Sequence, residues 1–217
     1  MRAAITQAEH LHARAPGSVR LLAVSKRQSA DAIRELAALG QRDFGENYVQ
    51  EAVAKQAELA DLALCWHFIG RIQGNKTREI AAHFDWVHSL ERVKHAQRLS
   101  AQRSDDRPAL NLCLQINLEG KQSKGGLAPE QVAATAAAVA VLPRLRLRGL
   151  MTIPATHLDA AQQLAVFTRL HELQRELVRG GLNLDTLSMG MSADMEIAIV
   201  AGATMVRIGT ALFGPRP

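Results

Sequence analysis

Cysteine is scarce in this chain: two residues among 217, Cys65 and Cys113, each inside an apolar strand-like run. So few thiols make no disulfide framework; they read as buried thiols of a protein kept in a reducing cytoplasm. No Cys/His pair has the sequence spacing of a metal site, and no metal is expected. Aromatic residues are also few, five Phe, two Trp and one Tyr, and no nucleic-acid-binding motif accompanies them. The net charge of +5 comes from scattered arginines, which read as a solvated basic surface rather than a polyanion footprint. No apolar run reaches the ~20 residues of a membrane-spanning helix. Met1–Arg20, with Gln7, Glu9, His10 and His12, is too polar for a signal peptide. Linkers, repeats and low-complexity blocks are missing as well.

What is present is a hydrophobic content of 47%, enough for one sizeable core and a single domain over 1–217. Short strand-like runs alternate with longer helical patterns. The strand candidates are Arg20–Ser25, Asp43–Glu46, Cys65–Ile69, Trp86–Ser89, Leu110–Asn117, Leu147–Thr152, Thr186–Met189 and Met205–Ile208. Arg144–Arg148, alternating Arg and Leu, reads as a boundary leading into the sixth. Helices are predicted over Ala30–Leu39, stopping at Gly40; over Val132–Val141, stopping before Pro143; and over Leu158–Arg179, ending at Gly180-Gly181. Met1–Ala15 is expected to add a helix before the first strand. Such alternation indicates a parallel sheet in an α/β protein, and eight strands suggest closure into a single (β/α)8 TIM barrel. An open doubly wound sheet is the alternative, although no Gly-rich dinucleotide fingerprint follows the first strand.

In such a barrel the C-terminal strand ends carry function. Lys26 closes the run Leu21-Leu22-Ala23-Val24, and alternation puts Leu22, Val24 and Lys26 on one face. A free lysine titrates at about 10.4; desolvation can bring that down by roughly 3–5 pH units. The neutral amine then attacks an aldehyde. From Lys26 alone, an exposed loop lysine beside Arg27 is the commoner reading. Ser188-Met189-Gly190-Met191-Ser192 joins a strand to a helix, where glycine permits close backbone approach, Ser192 can cap, and free amides attract a phosphate. Arg207-Ile208-Gly209-Thr210 ends the last strand and offers further donors. Ordinary capping and tight turns explain each of these alone. Together, on adjacent strand ends beside a lysine, they suggest a phosphate site.

The blocks Leu22-Ala23-Val24-Ser25-Lys26, Phe44-Gly45-Glu46-Asn47-Tyr48 and Trp66-His67-Phe68-Ile69-Gly70 with Gln73, Asn75 and Lys76 carry a family pattern. So do Lys124-Gly125-Gly126, Arg148-Gly149-Leu150-Met151, Leu187–Ser192 with Asp194 and Glu196, and Val206–Thr210. Over nearly its whole length the sequence resembles the pyridoxal phosphate homeostasis proteins, stand-alone relatives of the alanine racemase barrel. The resemblance implies a fold-type III barrel without the C-terminal β domain, and pyridoxal 5′-phosphate held as an aldimine on Lys26. It implies phosphate contacts at Ser192, Gly209 and Thr210, with Met191 beside them, and Asn47 next to the ring. Arg207 would face the ring nitrogen. Arginine only donates, so it would leave that nitrogen unprotonated and the ring a weak electron sink. The N-terminal segment is shorter than the family's.

Racemisation needs a base on each face of the substrate α-carbon. In the racemases the second is a tyrosine from the C-terminal domain; here the chain stops at Phe213-Gly214-Pro215-Arg216-Pro217. The one tyrosine, Tyr48, reads as a rim residue. His67 and Cys113 read as satisfied core residues, and Asp194 and Glu196 as first-turn acids serving a helix dipole. Lys76 and Lys124 are solvated loop lysines or, alternatively, secondary docking points for the aldehyde. The resemblance therefore implies a non-catalytic, monomeric, cytoplasmic carrier that supplies the cofactor to apo-enzymes. A racemase or lyase is the alternative; a cofactor-free Schiff-base aldolase and a basic nucleic-acid-binding barrel are more remote ones.

Overall fold

The structure, a computed structural model, describes residues 1–120 and 125–214. Its elements alternate from the start: α1 (Arg2–Leu11), β1 (Arg20–Val24), α2 (Ala30–Ala38), β2 (Asp43–Glu46), α3 (Val49–Glu58), β3 (Cys65–Phe68), α4 (Thr77–His83), β4 (Trp86–Leu90) and α5 (Val93–Gln102). The second half continues with β5 (Leu110–Gln115), α6 (Pro129–Ala140), β6 (Leu145–Met151), α7 (Ala160–Arg179), β7 (Thr186–Ser188), α8 (Met195–Val200), β8 (Met205–Ile208) and α9 (Thr210–Phe213). The strands pair in chain order and β8 returns to β1 in parallel, Leu22 opposite Arg207. The sheet is a closed (β/α)8 barrel, which removes the open doubly wound alternative.

Local chemistry sets the helix ends. Ser29 accepts from the Ala32 N–H at 3.2 Å and starts α2. Asp159 and Gln162 cap each other reciprocally at the start of α7. Helix α6 begins three residues before the expected Val132, because Pro129 suits a first turn that needs no N–H and the Gln131 side chain turns back to the Ala128 N–H. Helix α1 stops at Leu11, short of the expected Ala15, where the chain turns through Ala13 at φ +51°. Strand β6 starts at Leu145 rather than Leu147, since Leu145 and Arg146 already pair with Leu110 and Asn111.

The main core lies between the strands and the surrounding helices. Phe44, Phe84, Phe167, Ile33, Ile80 and Leu99 are sealed from solvent there. A smaller cluster, Trp86, Cys113 and Met151 with Cys65 against it, is separate. Among the described residues no helix is long and apolar enough to cross a membrane.

Candidate functional site

Strand alternation carries β1 into the site. Val24 and Lys26 share a face and line one cavity of about 290 Å³ at the C-terminal strand ends. Lys26 is half-buried. The backbone around it is locked from outside the barrel. Ser25 donates its hydroxyl to Glu46 at 2.6 Å, and the Lys55 ammonium of α3 donates to the Ser25 carbonyl and to Glu46, both at 2.8 Å. Lys55 also reaches Glu51, whose carboxylate accepts the Arg27 N–H. Arg27 sits at φ +63°, so Lys26 lies between two anchored neighbours. Burial pushes the Glu46 carboxyl up despite its bonds from Lys55 and Ser25, and Glu46 Oε2 has no partner. Sequence reading put Ser25 and Glu46 at strand ends without giving them a role, and it missed Lys55; the one signal was the alternation that turns Glu46 away from the barrel interior.

The other wall of the cavity is an amide cradle. Met191, Ser192, Ala193, Gly209 and Thr210 line it. Among the described residues the amides of Ser192, Ala193, Gly209 and Thr210 find no backbone partner, which leaves them for an anion. Ser192 does not cap helix α8, as the sequence suggested. The helix starts at Met195, and Ser192 lies in the preceding turn. That turn is braced by Asp194, which is buried and accepts the Met191 N–H at 2.5 Å. Asp194 thus does more than serve a helix dipole; Glu196 is exposed and faces His12 at 3.4 Å. Gly190 makes the turn possible. Its φ is +93°, and a Cβ there would sit 2.6 Å from the Ala198 Cβ.

Arg207 comes up from β8 into the same cavity, 5% exposed. Its Nη1 donates to the Ser188 carbonyl at 2.5 Å and the Ser188 hydroxyl at 2.9 Å, and its Nη2 to the Thr152 carbonyl at 2.9 Å. Burial lowers its pKa to about 10, with Asp194 opposing; it stays a cation at neutral pH. Among the described residues its Nε–H makes no hydrogen bond. Asn47, across from it, has a buried Oδ1 with no partner. All seven residues singled out from sequence, Lys26, Asn47, Met191, Ser192, Arg207, Gly209 and Thr210, therefore surround one cavity.

Other candidates fall elsewhere. Tyr48 is 52% exposed and lines a neighbouring cavity with Lys76. The Lys76 ammonium lies 3.2 Å from Glu79. Lys124 lies outside the described residues. Both cysteines are free thiols, as expected; Cys113 is buried, its pKa raised to about 12 by burial, while Cys65 is only half-buried. Cys65, His67 and Asp43 do bring a thiol, an imidazole and a carboxylate together at the N-terminal end of the barrel, which the spacing of Cys65 and His67 did not suggest. The His67 Nε2 lies 3.0 Å from Asp43 Oδ1 and 3.3 Å from the Cys65 sulfur.

Fold and site together define a barrel of the alanine racemase N-terminal type, with an amine on the first strand facing an anion cradle on the last two. The family model described as alanine racemase, N-terminal domain, matches residues 2–217. The chain belongs to this family and, within it, to the pyridoxal phosphate homeostasis proteins. A pyridoxal phosphate homeostasis protein of Pseudomonas aeruginosa is 61% identical over 214 residues, covering 99% of this chain and 92% of the relative. One of Vibrio cholerae is 52% identical over 218 residues, covering 99% and 92%. A solved structure of PipY from Synechococcus elongatus, with PLP bound, superposes with a TM-score of 0.87 at 43% identity and covers 98% of both chains.

Proposed function

We propose that this chain binds pyridoxal 5′-phosphate and takes part in its homeostasis, as a single cofactor-binding barrel domain over 1–217. Pyridoxal phosphate supplies an aldehyde that condenses reversibly with a primary amine. Lys26 is the amine that the cavity offers. Ser192, Gly209 and Thr210 hold the phosphate with hydroxyl and backbone donors, and Met191 closes that side. Asn47 lines the cavity beside the ring, and Arg207 donates to the ring nitrogen while remaining charged. One observation carries the reading: an amine, an anion cradle and a donor-only cation converge on one cavity. The printed names of the relatives, and the PLP bound to PipY, support it.

The chain acts as a carrier rather than a catalyst. Beyond Lys26 and Arg207, the cavity is lined by Val24, Asn47, Ile69, Met151, Ile153, Met191, Ser192, Ala193, Gly209 and Thr210. None is a carboxylate, imidazole, thiol or phenol, so no second general base faces an α-proton among the described residues. We infer a cytoplasmic monomer that limits free cofactor and passes it to apo-enzymes. Two measurements test these claims. Adding pyridoxal phosphate should give a visible absorption band that Lys26→Ala abolishes; a band that survives in the variant removes Lys26 from the role. Amino acids in deuterated water should show no α-proton exchange at catalytic turnover, and rapid exchange would make this an enzyme.

A further inference from the structure

Inside the ring of strands runs a series of polar contacts that the cofactor site does not explain. Ser188, at the end of β7, meets the Arg207 guanidinium at 2.9 Å and His88 Nδ1 at 2.8 Å. His88 Nε2 meets His67 Nδ1 at 2.9 Å, and His67 Nε2 meets Asp43 Oδ1 at 3.0 Å. Strands β4 and β7 are separated by β5 and β6, so the His88–Ser188 contact crosses the interior. The contacts link Arg207, at the cavity, to Asp43 on β2 at the opposite end of the barrel. His67, His88 and Ser188 are fully buried.

We propose that Asp43, His67, His88 and Ser188 form a hydrogen-bond chain of fixed direction that aims Arg207 into the cavity, making His88 and Ser188 positioning residues for pyridoxal phosphate; this rests on the reading that the cavity binds that cofactor. The direction follows from the two ends. Arginine has no acceptor, so Nη1 donates to the Ser188 oxygen. Ser188 then gives its own proton to His88 Nδ1. A neutral His88 carries its hydrogen on Nε2 and donates to His67 Nδ1. His67 likewise carries its hydrogen on Nε2 and donates to Asp43. The opposite arrangement would set the His67 lone pair against a carboxylate. Burial holds both imidazoles below their usual range, His88 well below, which keeps them neutral. Burial pushes Asp43 up, but the bond from His67 and the charge of Arg20 outweigh it and keep the carboxyl ionised. An arginine terminus cannot pass a proton on, so the chain orients and does not conduct.

Nitrogen NMR of the histidine-labelled parent chain, with the two signals assigned through His67→Ala and His88→Ala, reads the tautomers directly. Both rings should carry hydrogen on Nε2; an Nδ1–H form of His88 would overturn the chain. Cofactor titrations then test its purpose. His88→Ala should weaken pyridoxal phosphate binding by about tenfold, the loss of one orienting bond to a charged group, and shift the bound absorption maximum. Combined with Arg207→Gln it should bind no more weakly than Arg207→Gln alone, because His88 acts through Arg207. Additive losses, or a His88→Ala that lowers the melting temperature while leaving affinity and absorption unchanged, would reduce the chain to a structural one. A parent chain that binds no cofactor refutes the underlying reading and the positioning role together, and the tautomers tell that failure apart from a wrongly directed chain.

Discussion

Between the strands and the helices the packing is mostly apolar, the buried Glu46–Lys55 pair apart; inside the ring of strands it is threaded by a line of hydrogen bonds. The outer layer is sealed by Phe44, Phe84, Phe167, Ile33 and Leu99. It is held by area removed from water, which has no direction and accepts many shapes of similar volume. The interior holds His67, His88, Ser188 and Arg207 beside the small Trp86, Cys113 and Met151 cluster. Each contact along that line depends on which atom carries the hydrogen. The outer layer supplies stability. The interior supplies aim, and it ends at the cavity where Lys26 waits.

Deleting bulk from the outer layer should have the largest effect on stability and none on aim. Phe167→Ala should cost about 3–5 kcal/mol, read as a lower urea midpoint, while the folded fraction binds pyridoxal phosphate as before. A loss of affinity per folded molecule would show that the two regions are not separable. Lys55→Met should come next, at roughly 3 kcal/mol, because it strands the Glu46 carboxyl in a site with no solvent access. The pH dependence carries the signature. With its carboxyl already pushed up, Glu46 without Lys55 is tolerated only when protonated. The deficit should therefore shrink as pH falls and grow as pH rises. Gly70→Ala should be milder for stability, about 2 kcal/mol, yet damaging to the site. A Cβ at Gly70 would lie 2.1 Å from the Asn47 carbonyl oxygen, so Asn47 must move and cofactor affinity should fall with it. Unchanged affinity would remove Asn47 from the cavity's function.

The same division decides what could be read from sequence. Strands β2 and β8 occupy the expected Asp43–Glu46 and Met205–Ile208; Met205-Val206-Arg207-Ile208 is a short, mostly apolar run and a local signal, whereas Asp43-Phe44-Gly45-Glu46 carries only the position of Phe44 in the strand–helix alternation. Closure then follows from counting strands, and the strand ends place Lys26, Asn47, Ser192 and Gly209 on one rim. The His67–His88–Ser188 line was not legible. His88 and Ser188 are 100 residues apart, and their meeting depends on a closed ring rather than on any periodicity. A histidine in an apolar run reads as core, which is correct for burial and silent about partners. Lys55 was missed for a related reason. On helix α3 it occupies a position that a hydrophobic pattern assigns to an apolar side chain, and only the buried Glu46 explains it. The early end of α1 has no sequence marker either, since Ala13 at φ +51° is not a residue that announces a left-handed turn.

The smallest expected effect separates the two regions by pH. His67 and His88 are held neutral in the fold, below the ordinary value of 6.5, by burial. The unfolded chain has no such restraint and takes up protons on both rings below that pH. The unfolded state then binds more protons, so stability present above about pH 6.5 drains away as the solution is acidified. Urea midpoints measured from pH 7.5 down to 5 should fall for the parent chain. Phe167→Ala should give a curve displaced downward but parallel, because no titrating group has changed. His88→Phe should give a shallower one, because one of the buried rings no longer contributes. Some slope remains from His67 and from His95, whose pKa burial also lowers. Parallel curves for all three proteins would mean that His88 takes up protons as readily folded as unfolded. That would leave the neutral, one-directional line across the barrel without its middle link.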